Sequence, residues 1–375
     1  MKKLSLVLAL LGLAAGTALI GWTGAGAVVA AVLSAGWPRF GLYVGWQWMM
    51  FVPLGLAWDT IARGRGVRRS FVFLGGRMVR DAASNCLPFS QLGGFVAGAR
   101  AAMLGGIGWP LATASTVLDV TAEFMAQVAF AAIGLGIVVL HDPGSHVRLP
   151  IEIGLACAVV AAAVFIWMQR GADSLVARIS GRIAGGRFGG ARERLGLLGQ
   201  ELTALHRHNG RFAVSFALHL LGWMMSGVGT FIAYRALGTQ APFEVALAIE
   251  ALLSAIAAAT FLVPAGIGVQ EASYAGLGAV FGLPVEVSLA VSLLRRARDL
   301  SVGVPILLVW QGLELRWLRQ GYAAAGPQGP EVPPPARTQV KNSKGRPLAR
   351  ARAVAPPFGR AVAEPPAAHT DRSDP

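Results

Sequence analysis

Between Phe261 and Asp299 the chain is apolar enough to lie in a bilayer, yet it carries Pro264, Gly266, Gly268, Glu271 and the cluster Arg295, Arg296, Arg298 and Asp299. A plain spanning helix has no use for these residues. Proline removes a backbone donor and crowds the preceding turn. Glycine opens conformations closed to other residues. Irregular backbone at membrane depth survives only where protein or a water-filled cavity covers it. Broken helices that meet ionisable side chains are a common build for a transporter's binding site. The stretch argues for an all-α, polytopic membrane bundle rather than a soluble domain.

Composition points the same way. Charged residues make up 14% of the 375 and hydrophobic residues 54%, whereas soluble domains are about a quarter charged. The net charge of +14 is bunched into a few loops and the tail. That bunching suits cytoplasmic loops under the positive-inside rule and gives no basic, aromatic face for a nucleic acid. Cys86 and Cys157 both sit in apolar runs without metal-ligand spacing, so no metal, cofactor or disulfide framework is expected.

In chain order, Lys2 and Lys3 precede the apolar run Leu4 to Trp22, read as a retained first helix with its N-terminus in the cytoplasm. Phe40 to Trp58 is a second span whose end aromatics, Tyr43 and Trp58 among them, are expected as interface anchors. Phe71 to Gly108 breaks up around Pro88 and Gly93-Gly94 and reads as a re-entrant or broken hairpin. Leu111 to Leu140 is a long span carrying Asp119, Glu123 and Gln127 on one helical face. Ile151 to Met168 returns to the cytoplasm, and residues 169–211 form an arginine-rich cytoplasmic loop, part of it expected on the membrane surface. His206 and His208 within it are too close in sequence to share a helical face, so they read as solvated rather than metal-binding. Phe212 to Arg235 and Phe243 to Val263 are two further spans, the latter carrying Glu250, expected near the outer interface. Apolar periodicity is lost from Glu314 on. The membrane domain is therefore placed at residues 1–320, with 321–375 a disordered, basic, cytoplasmic tail.

The two irregular regions match. Asp119 and Arg295 each follow their proline, Pro88 or Pro264, by 31 residues, and Glu123 and Asp299 each follow by 35. Residues 71–140 and 241–312 thus read as repeats of one unit. The charge rule starts the first inside at Arg69 and the second outside near Gln240. The layout is an inverted repeat, in which binding sites lie near the midplane.

These residues also carry a resemblance. The run Pro264-Ala265-Gly266-Ile267-Gly268-Val269-Gln270-Glu271, followed by Ser292-Leu293-Leu294-Arg295-Arg296-Ala297-Arg298-Asp299-Leu300, resembles the second signature of the lysylphosphatidylglycerol synthase transmembrane region, a flippase-like family. Val79-Arg80-Asp81, Asn85, Leu87-Pro88, Gln91-Leu92-Gly93-Gly94 and Gly98-Ala99-Arg100 resemble the first signature of its hopanoid-biosynthesis-associated branch. The wider family often reads Pro-Gly-Gly-Ile-Gly-x-Arg-Glu where this chain has Ala265 and Gln270, so substrates of other branches do not carry over. The resemblance implies a protein of the bacterial inner membrane that moves a lipid, without a soluble catalytic domain, and the chain is expected not to be an enzyme because it has no histidine or cysteine ligand set and no acidic diphosphate-binding cluster. The implied lipid is a hopanoid, or another isoprenoid or phospholipid.

Signatures and ions together give a substrate path. The first half contributes Arg80, Asn85, Pro88, Gln91, Gly93, Gly94, Arg100, Asp119 and Glu123. The second contributes Pro264, Gly266, Gly268, Glu271, Arg295, Arg298 and Asp299. A charge inside a membrane costs roughly 2.5–3.5 kcal/mol on insertion scales. Two readings of the ions stand. They pair internally, Arg295 with Asp299 and Arg80 or Arg100 with Asp119 or Glu123, or they line a polar cavity for a lipid head group or protons. Beside lipid transport stand two other functions. One is a scaffold that docks lipid-synthesis enzymes or a partner transporter through the basic loop and tail. The other is an isoprenoid-lipid enzyme using Asp119 and Glu123.

Overall fold

The computed structural model of the chain describes residues 25–87, 90–141, 189–259 and 268–324, together with Ala156. The expected first span at Leu4 to Trp22, the return span at Ile151 to Met168 and the break around Pro264 lie outside the described residues, as does most of the tail. Within the described residues every regular element is helical.

The first pair is α1, Ala25–Ala35, and α2, Trp37–Ala62. Gly36 separates them with φ 80°, a left-handed conformation that glycine takes without strain. Pro38 sits in the first turn of α2, where its missing N–H would be unbonded anyway. α3, Ser70–Cys86, and α4, Ser90–Leu104, fold back on each other as the expected hairpin. Leu87 is extended (φ −108°, ψ 148°), as suits the residue before a proline. Gly93 and Gly94 do not interrupt the hairpin but lie inside α4. Gly94 serves close approach, as does Gly98 one turn on. A Cβ at Gly94 would stand 2.6 Å from the Arg80 carbonyl oxygen, and one at Gly98 would stand 2.8 Å from Arg80 Cβ. Small residues at such crossings let helices pack tightly in a membrane.

α5, Trp109–His141, is the long span that carries Asp119 and Glu123. α6, Gly189–His206, falls within the arginine-rich loop and docks Leu202 and Leu205 against Ile61, Ala114 and Leu118 of α2 and α5. α7, Asn209–Ala236, and α8, Phe243–Ala259, follow. α9, Val269–Val280, and α10, Val285–Ala324, complete the described chain. The helix therefore runs on through Glu314, where loss of apolar periodicity suggests tail. Among the described residues three helices are long and apolar enough to cross a membrane: Trp37–Arg65, Trp109–Leu140 and Gly210–Ala236. Large apolar side chains such as Leu42, Met49, Leu221, Leu308 and Val309 are exposed on the outside of the bundle, as a lipid-facing surface requires.

Side-chain partners give the helix directions. α2 runs antiparallel to α3, with Asp59 at Ser70 and Gly55 at Leu74. It also runs antiparallel to α7, with Arg39 at Ala236 and Leu54 at Gly222. α7 runs antiparallel to α8, with Phe231 at Phe243 and Gly227 at Leu247. It follows that α3 and α8, the first helices of the two matched regions, point in opposite directions. Each region then continues as a short helix and a long one, and Trp109 and Val285, where the long helices begin, each follow their proline by 21 residues.

The aromatics at the ends of α2 correct an expectation. Trp58 is fully buried and its Nε1 donates to Ser115 Oγ at 3.0 Å. Tyr43 is also buried, in the core with Tyr234, Ile249, Tyr274 and Leu294. Place along a span sets depth; the side of the helix facing its neighbours decides burial.

Candidate functional site: two buried ion clusters

Arg77 and Arg80 lie less than one turn apart on α3, facing Asp119 and Glu123 one turn apart on α5. Arg77 holds Glu123 with two bonds, Nη1 to Oε2 at 2.9 Å and Nη2 to Oε1 at 2.6 Å. Arg80 donates to Asp119 Oδ2 at 2.7 Å and also to Glu123. Arg77 Nε lies 3.0 Å from Asp81 Oδ1. The Arg80 guanidinium covers the Phe95 ring of α4 at 4.5 Å, and His219 of α7 brings Nε2 to 2.9 Å from Asp119 Oδ1. Asp119 and His219 are wholly buried. Bidentate, charge-assisted bonds of this kind hold ions out of water. Gln127, the third residue of the stripe, donates to the Ser254 carbonyl on α8 at 2.8 Å.

The second cluster centres on Glu250 of α8. Its carboxylate accepts from Ser226 at 2.5 Å, Thr230 at 2.7 Å, Tyr274 at 3.2 Å and Arg295 at 2.5 and 2.7 Å. Glu250 is thus buried among α7, α9 and α10, with its donors on the faces those helices turn inward. The expected pairing of Arg295 with Asp299 does not form. Asp299 is held instead by its neighbour Arg298 at 2.6 and 3.0 Å, and Arg298 also donates to Tyr43 Oη at 3.1 Å.

Glu271 joins the start of α9 to α10. Its Oε2 accepts the N–H of Gly268 at 2.8 Å, half of a capping box, and its Oε1 accepts from Arg296 at 2.6 Å. Gly268 itself is left-handed, φ 80°. Gln270, where the wider family has arginine, donates to the Ser292 carbonyl at 3.1 Å and to Ser292 Oγ at 3.0 Å.

A small cleft lies between Asp81 and Asp299. Gln47, Phe51, Asp81, Ala82, Asn85, Asp299, Val302 and Gly303 line it, so it takes one carboxylate from each side. Arg100 lies elsewhere, bonded to Glu314 at 2.7 Å and stacked over Trp317 at 4.6 Å. Gln91 lies in α4, while Pro88, Pro264 and Gly266 fall outside the described residues.

Among the described residues no three His, Cys, Asp or Glu side chains are arranged to hold a metal ion. The lysylphosphatidylglycerol synthase TM region family model matches residues 9–306. The chain belongs to that family. No curated protein and no solved structure matches it. As a member of the lysylphosphatidylglycerol synthase TM region family it is a membrane protein tied to lipid handling, with both clusters inside the matched residues.

The sequence reading singled out neither His219 nor Arg77 as site residues. A histidine inside the apolar span Gly210–Ala236 is itself a signal, because intramembrane ionisable residues are rare and costly.

Proposed function

We propose that the protein transports a lipid from a bacterial inner membrane and is not itself an enzyme. The observation that carries this reading is the pair of ion clusters inside the bundle, with a small cleft between Asp81 and Asp299, in a chain whose family is tied to lipid handling. A polar head group entering the cleft would meet Asp81, Asn85 and Asp299 first. It would exchange its hydrogen bonds for theirs while its apolar body stays in lipid. The resemblance of the first signature to the hopanoid-associated branch supports a hopanoid, a rigid apolar ring system with one polar end. The basic loops support cytoplasmic placement of both termini.

The test is transfer of a hydroxylated hopanoid from vesicles containing the purified full chain to acceptor vesicles. We expect transfer several-fold faster than from protein-free vesicles, and a return to the protein-free rate for a folded Asp299→Asn protein. Equal rates with and without protein would contradict the proposal.

A further inference from the structure

At one end of the bundle α2 turns into α3 and α6 into α7, and the two turns touch. A Cβ at Gly64 would stand 3.0 Å from His208 Cδ2 and 3.8 Å from Arg211 Cδ. The turns carry Arg63, Arg65, Arg68, Arg69, Arg207 and Arg211. Asp59 pairs with Arg63 at 2.6 Å and Glu201 with Arg65 at 2.7 Å. Arg69 donates to a neutral acceptor, the Gly105 carbonyl, at 2.8 Å. Arg68 and Arg207 are exposed and Arg211 is half-buried, and among the described residues no carboxylate pairs with any of the three. α3 and α7 also start here, and neither Arg69 nor His208, the residues before them, caps its helix with a side chain. Both helices therefore turn a positive end to the same rim. The opposite end is balanced. There Arg39 donates to the Ala236 carbonyl and Arg235 to Gln240, while Glu244 and Glu286 stand in the first turns of α8 and α10.

An apolar group stands beside this charge. Phe71, in the first turn of α3 and three residues from Arg68, is 89% exposed, more than any other large apolar side chain among the described residues. Leu197 on α6 is exposed as well. A small anion in water has no use for a bare aromatic ring next to its arginines. A phospholipid has, because its phosphate and its acyl chains lie side by side at the membrane surface. We infer that this rim is a binding site for an anionic phospholipid of the leaflet it lies in, with the phosphate on Arg68, Arg207 and Arg211 and an acyl chain against Phe71. Guanidinium groups match phosphate oxygens in geometry as well as charge. A zwitterionic lipid brings its own cation to the same arginines and is held less well. The positive-inside rule makes the leaflet the cytoplasmic one. The bound lipid fixes the α2–α3 and α6–α7 turns at the level of the phosphates. The site lies apart from the cleft at Asp81 and Asp299, and it stands whether or not the chain moves a lipid.

The test follows binding of a fluorescent phosphatidylserine to the detergent-solubilised full chain by anisotropy. Unlabelled phosphatidylserine, phosphatidylcholine of the same acyl chains and inorganic phosphate are the competitors. We expect phosphatidylserine to compete at several-fold lower concentration than phosphatidylcholine, with the preference shrinking as salt is raised. Inorganic phosphate at the same concentrations should not compete. A protein with Arg68→Gln, Arg207→Gln and Arg211→Gln together should bind several-fold more weakly and lose the preference. It removes no ion pair among the described residues, so its unfolding midpoint should match that of wild type. Phe71→Ser should weaken both lipids alike and leave the preference in place. Arg235→Gln, at the opposite end, should change neither. Equal competition by the two lipids overturns the site, and so does unchanged binding in the triple variant or an equal loss in Arg235→Gln. Competition by inorganic phosphate as strong as that of phosphatidylserine, or full affinity in Phe71→Ser, overturns the lipid as occupant.

Discussion

Arg295 places Nη1 2.7 and 2.5 Å from the two carboxylate oxygens of Glu250, and not on Asp299 one turn along its own helix. The bond ties α10 to α8, and three further donors from α7 and α9 complete the carboxylate. Removing one partner leaves the other charge buried and unpaired, which costs about 3–5 kcal/mol. Glu250→Ala and Arg295→Ala should each lower the thermal unfolding midpoint of the detergent-solubilised protein sharply. The pair Glu250→Leu with Arg295→Met should recover only part of the loss, because no charge is left unpaired but Ser226, Thr230 and Tyr274 lose their acceptor.

The arginines of the first signature are not equivalent. Arg80 is 4% exposed at its side chain and serves two carboxylates, whereas Arg100 is 29% exposed and serves Glu314 alone. Arg80→Ala should destabilise by about 3–5 kcal/mol. Arg100→Ala should cost under about 1 kcal/mol as an ion pair, with a similar amount for its stacking on Trp317. Chemical unfolding of the two variants side by side checks the ranking. An equal loss would mean that Arg100 has a second, buried role.

The hairpin depends on glycine at its crossing. An added methyl at Gly98 meets Arg80 Cβ at 2.8 Å and the Gly76 carbonyl oxygen at 3.0 Å. Gly98→Ala should push α4 from α3 at a cost of about 1–3 kcal/mol. It should also loosen Arg80 from Asp119. At Gly75, where an added methyl meets nothing within 4 Å, the same change should be close to neutral. Unfolding midpoints of the two alanine variants read the difference.

How much of this was legible in the sequence follows from the range of each interaction. Apolar runs and helical spacing are local, so the long spans and the shared face of Asp119, Glu123 and Gln127 could be read directly. The pairing of Arg80 with Asp119 and Glu123 was also within reach, because it lies inside one hairpin-and-span unit. Glu250 and Arg295 are 45 residues apart, and their meeting depends on how α8 and α10 pack. Local spacing pointed instead to Asp299, which Arg298 takes. The burial of Trp58 and Tyr43 escaped for a related reason: an α-helical span without strong amphipathicity does not announce which side faces protein. His219 was overlooked because a single histidine in an apolar run has no spacing to read, and its meaning appears only beside Asp119.

The central claim is lipid movement through the cleft between Asp81 and Asp299. The most direct measurement is hopanoid content by mass spectrometry in separated inner and outer membranes. It compares a deletion strain with strains restored by wild type or by Glu271→Gln, the variant whose carboxamide weakens the tie between Gly268 and Arg296. The account predicts loss of outer-membrane hopanoid at normal total content, restored by wild type and not by a normally abundant Glu271→Gln protein. An unchanged distribution on deletion would contradict it, and a fall in total hopanoid would place the protein in synthesis instead.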